Sequence, residues 1–143
     1  MTKIRDIMTS DVDFCTAEDN VYEAALKMKD GNVGVIPVLE NNRLIGVITD
    51  RDIVTRSVAE KKPNSTKITD IISTDLVTGS PDMSVEEAED LMASEQVRRL
   101  PIVEKEKLVG IIALGDLAVH NQTISEAGIA LHSISENRDQ IQH

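Results

Sequence analysis

The sequence predicts a mixed α/β (α+β) fold in which two tandem β-α-β-β-α units pack with pseudo-two-fold symmetry. Three observations predict it: an ungapped internal repeat, a helix-start signal at the same place in each copy, and paired β-branched runs after each helix. The repeat appears at a shift of 64, where Lys3-Ile4-Arg5-Asp6-Ile7 lies over Lys67-Ile68-Thr69-Asp70-Ile71 and the match runs on to Thr55 over Val119. Of the 53 aligned positions 16 are identical, far more than chance gives for two unrelated stretches, so one unit is written twice.

Each copy reads the same way. Asn20-Val-Tyr-Glu23 and Ser84-Val-Glu-Glu87 are capping boxes, so helices start at Val21 and Val85. Val21, Ala24, Ala25 and Met28 then follow helical spacing, and Val85, Ala88, Leu91 and Met92 follow it approximately. The β-branched runs 33–39 and 44–48, and 97–103 and 107–112, predict strands. Asn41-Asn42 suits a tight hairpin because asparagine tolerates positive φ; Lys105-Glu106 carries no such signal, and that hairpin rests on the repeat alone. A second helix is expected around 50–60 and 114–121. The first repeat thus spans 1–62, a polar linker covers 61–66, the second repeat spans 67–122, and a partly helical tail occupies 123–143. A lone copy of about 55 residues has a marginal core, so the two are expected to form one module with one continuous core.

Composition narrows the function. The chain has 143 residues, a net charge of −10 and two aromatic residues, Phe14 and Tyr22. That balance disfavours nucleic acid, which needs basic surface and stacking platforms. A single cysteine, Cys15, excludes an internal disulfide and fits a reducing compartment. No run is apolar enough for a membrane span, and Met1-Thr2-Lys3-Ile4-Arg5-Asp6 lacks a signal-peptide core, so a cytosolic protein is expected.

The junction Gly46-Val-Ile-Thr49-Asp-Arg51-Asp52 carries the most chemistry. A strand runs straight into a helix at Thr49, and a helix start offers unsatisfied N–H groups to an anion. Thr49 adds a hydroxyl, Asp52 can accept from two ribose hydroxyls, and Gly46 permits close backbone approach. The same atoms also satisfy a capping box, which needs no ligand. In the second copy Ala113 replaces Thr49 while Asp116 keeps the aspartate step, and a capping box does not explain Asp116 without its hydroxyl partner.

Val-Gly-Val-Ile-Pro37-Val and Arg-Arg-Leu-Pro101-Ile-Val, each followed by a Gly-apolar-apolar-Thr-x-x-Asp step or its variant, resemble a CBS-domain pair (a Bateman module) of the stand-alone bacterial type over about residues 3–121. The resemblance implies a regulatory sensor binding AMP, ADP, ATP or S-adenosylmethionine in clefts between the copies. It places ribose recognition on Thr49 and Asp52, with Asp116 as the second equivalent. Adenine is then expected near Thr16 with Val35, Ile36 and Pro37, or near Ser80 with Arg99, Leu100 and Pro101. Arg51 and either Arg98 or Arg99 are expected at the phosphate, because a guanidinium fork suits phosphate oxygens. Surface pairing of those arginines with Glu40, Glu95 or Glu104 is the alternative.

No metal or catalytic residues are expected. His120, His132 and His143 lack ligand spacing, Cys15 reads as a small strand residue, and Met28 and Met92 read as core. The acidic stretch 86–90 reads as a solvated helix face. Ile129, Leu131, Ile134 and Ile141 hint at a short amphipathic helix in the tail. The leading expectation is a sensor with an adenine nucleotide as regulatory ligand, no catalytic cofactor, a homodimeric state and a separate effector protein. A dimeric scaffold without ligand is the alternative, and a small enzyme ranks below both.

Overall fold

The structure is a computed structural model that describes residues 2–128, and the expected elements are present in order. They are β1 (Cys15–Thr16), α1 (Val21–Gly31), β2 (Val35–Glu40), β3 (Arg43–Thr49) and α2 (Asp50–Asp52), then α3 (Val85–Glu95), β4 (Arg99–Glu104), β5 (Lys107–Ala113) and α4 (Leu114–Gly128). Both capping boxes close reciprocally, Asn20 with Glu23 and Ser84 with Glu87, so α1 and α3 start where the sequence places them. Each helix stops on a left-handed residue, Asn32 or Gln96, which turns the chain into the next strand. Both hairpin turns use two successive positive-φ residues: Asn41 and Asn42 at 54° and 66°, Lys105 and Glu106 at 54° and 69°. Lys105 and Glu106 therefore adopt a turn their side chains do not favour, at a strain cost of order 1 kcal/mol each. The repeated strand register imposes it.

The second helix of the first copy departs from expectation. Regular α-helix covers only Asp50–Asp52, and the chain widens into a π-helix over Ile53–Val58, marked by the Ala59 N–H donating to the Val54 carbonyl at 2.9 Å. β-branched residues crowd this turn, and the Thr55 hydroxyl donates to the Arg51 carbonyl at 2.8 Å, competing with the helical ladder. The matching helix α4 runs on to Gly128, past the expected end at 121. Most of the tail segment predicted to be helical, with Ile129, Leu131, Ile134, Ile141, His132 and His143, lies outside the described residues. Among the described residues no helix is long and apolar enough to cross a membrane.

The chain groups into two compact units, and neither coincides with one stretch of sequence. One comprises Asp11–Leu76 with the hairpin tip Val103–Leu108; the other comprises the chain up to Ser10, Val77–Ile102 and the residues from Val109 onward. In the first, β2 pairs antiparallel with β3, β1 lies parallel on the far side of β2, and Arg43 pairs with Lys107. Its core joins Cys15, Val21, Ala24, Met28, Ile36, Val38 and Ile48 to Ile68 and Ile71, which precede the second repeat. The other core joins Val85, Ala88, Met92, Leu100, Ile102, Ile112 and Leu117 to Ile4, from the start of the chain. Each core is thus completed by the Lys-Ile-x-Asp-Ile segment that precedes the other copy. The buried residues form two clusters, where one continuous core was expected.

Two glycines make room for those segments. A Cβ on Gly46 would stand 2.7 Å from the Ser73 carbonyl oxygen, and one on Gly110 would stand 2.5 Å from Met8 Sδ and 3.0 Å from the Thr9 carbonyl oxygen. The close approach read at Gly46 is real, and the backbone that approaches is the protein's own.

Cys15 is fully buried in the first core. Burial, reinforced by the negative charge of Asp19, pushes its thiol up to about 11. A raised thiol pKa stabilises the fold below the ordinary value near 9, and that contribution disappears as pH rises through about 11. Chemical denaturation between pH 8 and 11 should therefore show a stability loss that Cys15→Ala removes, with alkylation of the native thiol slow at pH 7.

Candidate functional site

Thr49 ends β3 directly opposite Val35 at the start of β2, and the Asp50 N–H donates to the Gly34 carbonyl at 2.9 Å. These bonds hold the strand end and the first helical turn as one corner. The capping box closes in both directions there: the Asp52 N–H donates to Thr49 Oγ1 at 2.9 Å, and the Thr49 N–H donates to Asp52 Oδ2 at 3.0 Å. The cap is therefore real. It uses one carboxylate oxygen and leaves the Thr49 hydroxyl proton without an acceptor among the described residues.

Asp52 is 7% exposed, unusual for a carboxylate, and its other oxygen is loosely held. Ser73 Oγ lies 3.2 Å from Oδ2 and 3.4 Å from Oδ1, and Arg56 Nε lies 3.9 Å from Oδ1. Hydroxyl–carboxylate bonds ordinarily run near 2.7 Å, so among the described residues Oδ1 has no short donor. Arg56 instead donates to the carbonyls of Ile72 and Ile71, at 3.2 and 3.4 Å. Neither Ser73 nor Arg56 stands out in the sequence as a site residue. Two faint signals exist: Arg56 sits four residues after Asp52, and Ser73 overlies Thr9, a second hydroxyl in the repeat.

The other predicted residues distribute as follows. Arg51 is exposed, its N–H donating to Asp50 Oδ1 at 2.8 Å, and its guanidinium carries no ion pair among the described residues. Val35 is half-buried beside Thr49, whereas Ile36 and Pro37 are buried, so this part of β2 offers the corner mainly backbone. Thr16 pairs with Leu39, four residues along β2 from Val35, or roughly 13 Å at strand rise. There it lines a separate cavity of about 310 Å³ with Phe14, Leu39 and Asn41. The structure thus brings Val35, Thr49, Arg51 and Asp52 together and sets Thr16 apart.

Arg98, Arg99 and Asp116 belong to the other compact unit and repeat the same corner. The Leu114 N–H donates to the Arg98 carbonyl at 2.8 Å, as Asp50 does to Gly34, and the Ala113 N–H donates to Asp116 Oδ2 at 3.1 Å. Half a capping box therefore forms at Asp116 without the hydroxyl, which gives that aspartate a structural role the sequence did not. Arg98 and Arg99 are exposed and carry no ion pair among the described residues. Arg5 and Arg43, by contrast, are tied to Asp82 and Glu106.

With two such units in tandem, each opening a helix on an aspartate one turn in, the chain belongs to the CBS domain family, which matches residues 4–59 and again 68–120. It is similar to YlbB of Bacillus subtilis (strain 168), 54% identical over 98% of this chain and 97% of that protein. Among solved structures, CBSX2 in complex with AMP gives a TM-score of 0.77 at 22% identity, covering 87% of this chain and 99% of that one. The CBS domain pair of MJ0100, in complex with 5′-methylthioadenosine and S-adenosyl-L-methionine, gives 0.75 at 22% identity, covering 86% and 98%. These two likenesses establish a common fold.

The capping geometry predicts its own energetics. Thr49→Ala should lower stability by about 1 kcal/mol, and Ala113→Thr, which supplies the missing acceptor to the Asp116 N–H, should raise it by a smaller amount. Urea titrations of the two variants check both signs.

Proposed function

We propose that this chain is a regulatory module that binds an adenosine-containing nucleotide at the β3–α2 corner, with no catalytic cofactor. One observation carries the reading: Asp52 is nearly buried, yet among the described residues its Oδ1 has no donor closer than 3.4 Å. A buried carboxylate oxygen in that state gains from an incoming hydroxyl pair. In this reading Asp52 accepts the ribose hydroxyls, Thr49 donates its free hydroxyl proton, and the backbone of Val35, Ile36 and Pro37 borders the base. Arg51 faces the phosphate. In the other unit the exposed Arg98 and Arg99, whose strand start is bonded to the first turn of α4, favour the phosphate end of such a ligand. The AMP and S-adenosylmethionine complexes of CBSX2 and MJ0100 support the ligand class. Binding acts on a separate effector protein only to the extent that the nucleotide prefers one conformation of the module.

Calorimetric titration with AMP and ATP tests this reading. Wild type should bind one of them and gain about 2.7 kcal/mol of stability at a hundredfold excess over Kd. Asp52→Ala should bind at least tenfold more weakly. Equal binding by the two proteins would remove Asp52 from the site.

The scaffold reading has one observation in its favour: two exposed apolar i, i+4 pairs, Tyr22 with Leu26 on α1 and Val54 with Val58 on the adjoining π-helix. We assign these two exposed pairs to a homodimer contact, which is compatible with nucleotide binding. Light scattering should show a dimer that Tyr22→Glu with Val58→Glu converts to monomer; a monomeric wild type would refute the assignment.

A further inference from the structure

We propose that the Ser73 hydroxyl is a built-in competitor for the Asp52 carboxylate, occupying it in the free protein and setting the concentration at which a ribose displaces it. The inference rests on the nucleotide reading and concerns the regulation of that same corner. Ser73 reaches both carboxylate oxygens, at 3.2 and 3.4 Å, as a ribose diol would, but at distances well beyond a good hydroxyl–carboxylate bond. It cannot move closer, because its backbone is fixed. The Ser73 N–H donates to the Val47 carbonyl at 2.9 Å, the Val47 N–H donates to the Ser73 carbonyl at 3.0 Å, and the Ser73 carbonyl oxygen already crowds Gly46. On the other side Arg56 clasps the same segment through the carbonyls of Ile71 and Ile72.

The result is a weak, stretched bond on a rigid frame. A ribose hydroxyl arriving at ordinary distance outcompetes it, and Ser73, half exposed, turns its hydroxyl to water by rotating χ1. The exchange costs the ligand the Ser73 bond, so Ser73 lowers affinity while keeping the buried carboxylate solvated until the ligand arrives. The equivalent place in the other unit holds Thr9. There Asp116 is exposed and, among the described residues, bonded only by the Ala113 N–H, so this competition belongs to the unit that holds Asp52 and Ser73.

AMP titration of the full chain tests it. Ser73→Ala should tighten AMP binding about 2- to 10-fold, the factor expected for one lost competing hydrogen bond. Ser73→Thr, which restores the hydroxyl, should return affinity to the wild-type value. A merely structural Ser73 would weaken binding in the alanine variant and would not track the hydroxyl. Unchanged or weaker binding by Ser73→Ala, with wild type binding normally, overturns the competitor role and leaves the nucleotide reading standing. Binding by Ser73→Ala alone, with wild type silent, supports the competitor role in its extreme form. If neither protein binds AMP or ATP, the nucleotide reading fails and takes the inference with it.

Discussion

The close approach of a backbone strand to Gly46 governs both the core and the candidate site. Because position 46 has no Cβ, the Ser73 carbonyl can lie against β3 and exchange two hydrogen bonds with Val47. That single ladder step drops Ile68 and Ile71 into the apolar interior and delivers the Ser73 hydroxyl to Asp52. The other unit solves the problem identically. Gly110 admits Met8 and Thr9, Thr9 and Ile111 exchange two bonds of 2.9 Å, and Ile4 completes the core. A side chain at either glycine would push out the segment that closes the unit, and with it several fully buried isoleucine contacts, each worth a few kcal/mol.

This arrangement explains why the Lys-Ile-x-Asp-Ile motif recurs. Each copy of it forms a single 3-10 turn, over Ile4–Asp6 and Ile68–Asp70, too short to fold alone. It is ordered by the sheet it joins, and the sheet in turn lacks a full core without it. Such mutual dependence favours cooperative folding of each unit, since neither partner gains much from forming first.

How much of this was legible depends on whether the physics is local. The helix starts at Val21 and Val85 follow from capping side chains three residues away, and they appear where the sequence puts them. The Asn41-Asn42 turn is local too, and Lys105-Glu106 follows by repetition despite unsuitable residues. The π-helix over Ile53–Val58 was not legible, because apolar spacing does not report how β-branched crowding and the Thr55 back-bond resolve. Nor was Ser73 as a partner of Asp52, since a contact spanning 21 residues depends on the strand insertion at Gly46. Arg56 is only four residues from Asp52, but it lies on the π-helix that apolar spacing does not report. Thr49, Arg51 and Val35 share one corner because a strand end and a helix start are contiguous. Thr16 does not, because a parallel strand lays it beside Leu39 at the opposite end of β2.

The two aspartate steps differ in what a ligand gains from each. Asp116 is exposed, so a hydroxyl that binds it merely replaces water and the net gain is small. Asp52 is almost dry, its negative charge is met by one backbone N–H at 3.0 Å, a stretched hydroxyl and a guanidinium at 3.9 Å, and each additional short donor is worth more there. Around Asp116 the compensating feature is charge, because exposed Arg98 and Arg99, without ion pairs among the described residues, belong to the same unit in a protein of net charge −10. The first corner thus presents a nearly buried carboxylate with few short donors, and the second an exposed carboxylate beside exposed positive charge. A duplicated sequence has become two corners with unlike chemistry on one shared backbone plan.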